Sequence, residues 1–157
     1  MEAKELKIGV VSCSGEDCAG GTISRLATRK MMDELRPDNT VTICLPLFLA
    51  GGQEERMFAK EYPTIAVDGC AKACAKRATE KYSGQVSGFV LVSDLIGKAA
   101  AEGPALSTRD LTAEHQAMVD KVAVEITRQF DAIMDAGCQK PGNETPASCG
   151  CGCNCSC

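Results

Sequence analysis

Two pairs of cysteines stand where an α/β chain mounts its chemistry. Cys13 and Cys18 follow an apolar run, Leu6 to Val11, and precede the glycine pair Gly20-Gly21. Cys70 and Cys74 follow a second run, Thr64 to Val67, across the turn Asp68-Gly69. Strand, tight turn and helix N-terminus are the usual mounting for a site at the carboxyl edge of a parallel sheet. Four thiolates gathered there suit a soft ion such as zinc. Zinc–sulfur bonds of about 2.3 Å in a tetrahedron put sulfurs roughly 3.8 Å apart, not far from the roughly 4.8 Å between neighbouring strands. Cys13 and Cys70, one past each strand, are therefore expected to share an ion. Cys74 is expected one helical turn beyond Cys70 on the same face, with Cys18 returning from the glycine-rich loop.

Other uses of these thiols compete with that one. Free cysteines are commonly buried as small hydrophobes, but two pairs at two strand–helix junctions favour a shared ion. Four thiolates also suit an iron–sulfur cluster. A thiol redox or sulfur- or metalloid-handling enzyme using Cys13 and Cys70 is the third reading, weakened by the lack of a Cys-x-x-Cys pair and of a histidine partner. Four thiolates on Zn²⁺ leave a net charge of −2, which two helix N-termini, Lys72, Lys76 and Arg77 would offset. Asp68 is expected to cap the following helix, and Gly69 to permit the turn. Cys44, inside an apolar run, is expected in the core, and His115, the single histidine, in solvent. No catalytic residue is assigned.

The chain that must position these residues has 157 residues, enough for one core. Its net charge of −4, with no Lys-Arg block longer than two residues, argues against a nucleic-acid partner. No apolar run approaches the roughly 18 residues of a membrane helix, and the first residues lack a signal-peptide core. A cytoplasmic protein is expected, in which eleven cysteines point to thiolate chemistry over disulfides.

Apolar runs and amphipathic stretches alternate. Strands are expected at Leu6–Val11, Thr40–Leu45, Thr64–Val67 and Gly88–Ser93. Helices are expected near Thr22–Leu35, Gln53–Glu61 and Ala71–Tyr82. A long one near Thr112–Ala136 carries the stripe Met118, Val119, Val122, Ile126, Phe130, Ile133 and Met134. Lys98–Glu102 is left open as a helical turn. This alternation predicts a three-layer α/β fold of the Rossmann or flavodoxin kind, with a mostly parallel four-stranded sheet in the order 2-1-3-4 flanked by helices. Strands 1 and 3 are then neighbours, and both cysteine pairs border one crevice.

Cys13-Ser14-Gly15 after the first strand, together with Asp68-Gly69-Cys70 and Cys74, resembles the DGC-domain proteins, small prokaryotic proteins named after that tripeptide and assigned a zinc-binding role. The resemblance spans roughly residues 6 to 96. It implies a thiolate-held ion, with Cys13, Cys18, Cys70 and Cys74 as ligands. Ala71 stands where many relatives carry proline after the Cys70 equivalent.

Three segments follow: an α/β metal-binding domain over residues 1–138, a flexible linker over 139–148 containing Pro141, Gly142 and Pro146, and a tail over 149–157. The tail places Cys149, Cys151, Cys153, Cys155 and Cys157 at every second position. It resembles a metallothionein fragment, which orders only when soft ions gather its thiolates. The expected function is a thiolate protein for trafficking, storage or sensing of zinc or another soft metal, the tail capturing or handing over the ion. The expected partners are the ion and a metal-receiving protein or second subunit.

Overall fold

The structure, a computed structural model, describes residues 6–138. Four parallel strands, β1 (Ile8–Ser12), β2 (Thr40–Val41), β3 (Thr64–Asp68) and β4 (Gly88–Leu91), form one sheet in the order β2-β1-β3-β4. Alternation of strand and helix forces this arrangement, because each parallel neighbour must be reached by a crossover. The helices are α1 (Ala19–Lys30, extended by a π-turn over Met31–Leu35), α2 (Leu47–Ala50), α3 (Phe58–Glu61, after a 3₁₀ turn over Glu55–Met57), α4 (Cys74–Tyr82), α5 (Val92–Ile96), α6 (Lys98–Ala101) and α7 (Ala113–Cys138). None of the described helices is long and apolar enough to cross a membrane.

Two apolar layers cover the sheet. Ile8, Val10, Ile65, Val67 and Val90 face α1 and α7, where they meet Ile23, Ala27, Met31, Val119, Val122, Ile126 and Phe130. The stripe expected on the long helix is the one it buries. Val11, Cys13 and Ala66 point to the other face, against Phe48 and Ala75. Period-two alternation places Cys13 here, on the same side as Val11.

Several boundaries differ from the sequence expectation. The second strand pairs with β1 only at Thr40 and Val41, and the chain then leaves the sheet through a turn in which the Leu47 amide donates to the Cys44 carbonyl at 2.9 Å. Cys44 is exposed as a result and not in the core. β4 ends at Leu91, two residues before the expected strand end, and turns directly into α5 at Val92. The Lys98 segment forms a helical turn, α6. α4 starts at Cys74, not Ala71.

Candidate metal centre

β1 and β3 run side by side, with Val11 paired to Ala66 and Ser12 to Val67, so their carboxyl ends reach the same level. The ladder continues one step further: the Cys13 amide donates to the Val67 carbonyl at 2.9 Å. Beyond it the Gly69 amide donates to the Cys13 sulfur at 3.3 Å. The two cysteine loops thus meet through backbone.

Glycines allow this approach. A Cβ at Gly69 would lie 2.6 Å from the Gly20 carbonyl carbon and 2.7 Å from the Gly21 nitrogen, both closer than a real side-chain carbon comes. The first turn of α1 therefore packs against the Asp68-Gly69-Cys70 turn main chain to main chain. Gly15 lies against the same turn of α1, and a Cβ there would stand 3.6 Å from the Cys13 sulfur and 3.7 Å from that of Cys18. Arg25, in the second turn of α1, fixes this loop by donating to the Gly15 carbonyl at 2.8 Å and pairing with Glu16 at 3.4 Å. Nothing in the local pattern marks Arg25 for this role, since its partner lies in the loop that precedes its own helix.

Cys13, Cys18, Cys70 and Cys74 all line one cavity of about 440 Å³, together with Asp68 and Gly69. Lys72, Asp17 and Glu102 also border it. Cys13 is 6 % exposed and forms its floor, with the Ser24 hydroxyl 3.4 Å from its sulfur. Cys18 and Cys70 are half-buried, and Cys74 is exposed. Cys18 is the N-cap residue of α1 and Cys74 the first residue of α4. Both therefore sit at the positive end of a helix. The Lys76 ammonium lies 4.9 Å above the Phe89 ring, and its charge also acts on Asp68, pulling that carboxyl's pKa down.

Cys70 and Cys74 are not one helical turn apart on a common face. Cys70 lies in a turn closed by the Ala73 amide donating to its carbonyl at 3.1 Å, and Ala73 has φ 49° and ψ 49°. That left-handed residue redirects the chain at the start of α4. Asp68 compensates for the missing local cap from a distance. Its carboxylate accepts the Ala75 amide at 2.7 Å and the Lys76 amide at 3.0 Å, satisfying two donors of the first turn. Asp68 is 1 % exposed, and burial pushes its pKa above the ordinary 3.8 against the opposing pull of those amides. Burial also raises the Cys74 thiol above 9.0, followed by the charges of Asp68, Cys13 and Cys70.

The donor set suits a thiophilic ion, but the sulfurs are not drawn together. Among the described residues, no three of the His, Cys, Asp and Glu side chains are grouped closely enough to hold a metal ion. Elsewhere, His115 closes the start of α7, its Nδ1 accepting the Thr112 amide at 3.2 Å while the Thr112 hydroxyl accepts the His115 amide at 3.3 Å. The tail positions Cys149, Cys151, Cys153, Cys155 and Cys157 lie outside the described residues.

No curated protein and no solved structure matches the chain. A family model, the DGC domain, matches residues 9–122, which span both cysteine pairs and the strands that present them. On that match the chain belongs to the DGC-domain family.

Proposed function

We propose that this protein binds zinc or another soft metal ion through Cys13, Cys18, Cys70 and Cys74, and serves in the trafficking, storage or sensing of that ion. What carries the reading is that four cysteines from two loops line a single cavity, with the Gly69 amide directed at the most buried sulfur. The ion is cargo or signal in this reading, and no catalytic step is assigned to it. Two helix N-termini and Lys72 would offset the excess negative charge of four thiolates. Gly69 and Asp68 act as support, the first by close approach and the second by holding the start of α4. Because the sulfurs stand apart, uptake draws Cys74 and Cys18 inward, so binding and local ordering are coupled.

The test uses full-length protein, purified without oxygen, in which the five tail cysteines are changed to Ser. Cobalt(II) should give intense sulfur-to-metal charge-transfer absorption and protect four thiols from titration. Cys13→Ser or Cys70→Ser should each abolish both signals. The reading fails if cobalt and zinc leave all thiols free. A disulfide formed between Cys13 and another cavity cysteine, with one thiol far more reactive than the rest, would point instead to redox catalysis. A brown anaerobic preparation would point to an iron–sulfur cluster.

A further inference from the structure

The four-cysteine cavity is roomier than a bare ion needs. Its volume of about 440 Å³ equals that of roughly fifteen water molecules at about 30 Å³ each. It falls among pockets that hold small organic ligands, about 300–1,000 Å³. The sulfurs line the walls of that space, and among the described residues no three of the His, Cys, Asp and Glu side chains are gathered closely enough to fix an ion. Cys13 is buried, Cys70 half-buried and Cys74 exposed. An ion that first meets one or two of these thiols must fill its other coordination sites with ligands it brings along, and the cavity has space for them.

The rim carries charges of both signs. Lys72 borders the cavity from the turn before α4, whereas Asp17 and Glu102 border it beside the foot of α1. The Ala19 amide, donating to the Gly103 carbonyl at 3.0 Å, ties the end of α6, where Glu102 stands, to that foot. All three residues are exposed. Glu102 lies 4.0 Å from the Lys98 ammonium, and among the described residues Lys72 and Asp17 enter no ion pair. Two carboxylates beside an ion that four thiolates already make anionic add repulsion. Their charge suits a ligand with an ammonium group, and Lys72 in the other loop suits a carboxylate.

We propose that the cavity receives its ion from a small zwitterionic thiol, of the amino-acid or short-peptide class, whose carboxylate meets Lys72 and whose ammonium meets Asp17 and Glu102. The volume holds this carrier while Cys13 and Cys70 bond to the ion it brings. Cys18 and Cys74 close last and expel it. The transfer is ligand exchange. Each protein thiol that joins the ion loses its proton to water as a carrier thiolate leaves the ion and takes a proton up, and no electrons move. The inference rests on the cavity binding an ion, as proposed above.

The test uses the full-length parent with its five tail cysteines changed to Ser, mixed with cadmium held by an excess of one thiol. Glutathione carries both charges, 3-mercaptopropionate only a carboxylate, thiocholine only a cationic ammonium, and 2-mercaptoethanol neither. Cadmium on the protein is followed after rapid desalting. Each thiol holds cadmium with its own strength, so the readout is the uptake rate of a variant over that of the parent, thiol by thiol. Lys72→Glu should lower this ratio for 3-mercaptopropionate and glutathione by about threefold or more relative to 2-mercaptoethanol, since an exposed attraction becomes a repulsion. Asp17→Asn with Glu102→Gln should lower it for thiocholine and glutathione by about twofold or more. In Cys18→Ser with Cys74→Ser, the carrier should fill the vacated coordination sites, and native mass spectrometry should find glutathione retained with the cadmium. If that double variant does not fold, the rate ratios decide alone. Ratios equal for all four thiols overturn the inference and leave the metal reading intact. So does a folded double variant that retains no glutathione. A parent that takes cadmium from none of the four thiols overturns both.

Discussion

The Gly69 amide and the Cys13 sulfur, 3.3 Å apart, join two loops separated by 56 residues of sequence. An amide hydrogen aimed at sulfur brings partial positive charge to where a thiolate would carry its negative charge. The contact forms only because Gly69, Gly20 and Gly21 let two main chains touch, so the pairing of the cysteine loops depends on backbone shape before it depends on any metal.

Gly69→Ala tests that dependence. Its new methyl would stand 2.6 Å from the Gly20 carbonyl carbon, and neither neighbour is a flexible side chain that can swing away. Separating the loops should destabilise the fold by about 1–3 kcal/mol, the usual range for an inserted methyl in tight packing. It should also weaken cobalt binding at the cavity more than an Ala substitution at Gly52, whose Cβ would have only the Glu55 carboxylate within reach, at 3.5 Å. Urea midpoints and cobalt titrations on the two variants measure both effects, and equal behaviour would remove the glycine contact from the account.

Ala73 carries strain that glycine would relieve. At φ 49° an alanine lies in a region that costs an L-residue roughly 1–2 kcal/mol, while glycine enters it freely but loses more entropy on folding. Ala73→Gly should therefore raise stability by a net of about 0.5–1 kcal/mol. A destabilised Ala73→Gly protein would mean that the left-handed turn before Cys74 is not the conformation in solution.

Cys74 should react more slowly than its exposure suggests. Its thiol is held above the ordinary 9.0 by partial burial and by the charges of Asp68, Cys13 and Cys70, and only the thiolate attacks an alkylating agent. Peptide-resolved alkylation with iodoacetamide should show Cys74 modification still climbing as the pH passes 9.0. Asp68→Asn, which deletes one of those charges, should bring the rise to lower pH. Preloading with zinc should block the reaction at Cys74 and leave exposed Cys44 open to it. A Cys74 that is fully reactive at neutral pH would favour the enzyme reading.

The sheet order and the buried stripe of α7 were legible in the sequence because both follow from periodicity, and periodicity is local. The approximate position of the two cysteine loops followed from the same alternation. What escaped was set by strand ends and by side-chain contacts to loop backbone, which no periodicity encodes. Cys44 sits in an apolar run, yet β2 stops pairing at Val41 and the chain peels outward. The residues from Ala71 to Ala73 look helical, but Asp68 offers its carboxylate to the amides of Ala75 and Lys76, and a cap at those two amides starts the helix at Cys74. Arg25 gave no signal because its partners, Gly15 and Glu16, are reached only after the chain has turned back on itself.

Two carboxyl groups should leave opposite marks on stability in acid. Glu125 accepts the Arg128 guanidinium at 2.7 and 2.8 Å and the Gln129 amide at 2.8 Å. Arg128 first, then Gln129, holds its pKa at about 2 in place of 4.5. Its folded value lies below its unfolded one, so its contribution is complete above 4.5 and is lost as the pH falls toward about 2. Asp68 is the reverse: burial lifts its folded pKa above 3.8, so the native state holds that proton more firmly than the unfolded chain. Its effect favours folding most at low pH and declines as the pH rises from 3.8 through the raised value. Urea midpoints measured between about pH 2 and about pH 7 on Glu125→Gln, Asp68→Asn and the parent separate the two contributions. The advantage of the parent over Glu125→Gln should shrink with acid, while its advantage over Asp68→Asn should shrink as acid is removed. Asp68→Asn also leaves one of two helix amides without an acceptor, which lowers stability at every pH by about 1–3 kcal/mol but adds no slope. A difference between the parent and Asp68→Asn that grows with rising pH would show that the two amides outweigh burial, and that Asp68 is held as a stable carboxylate at the start of α4.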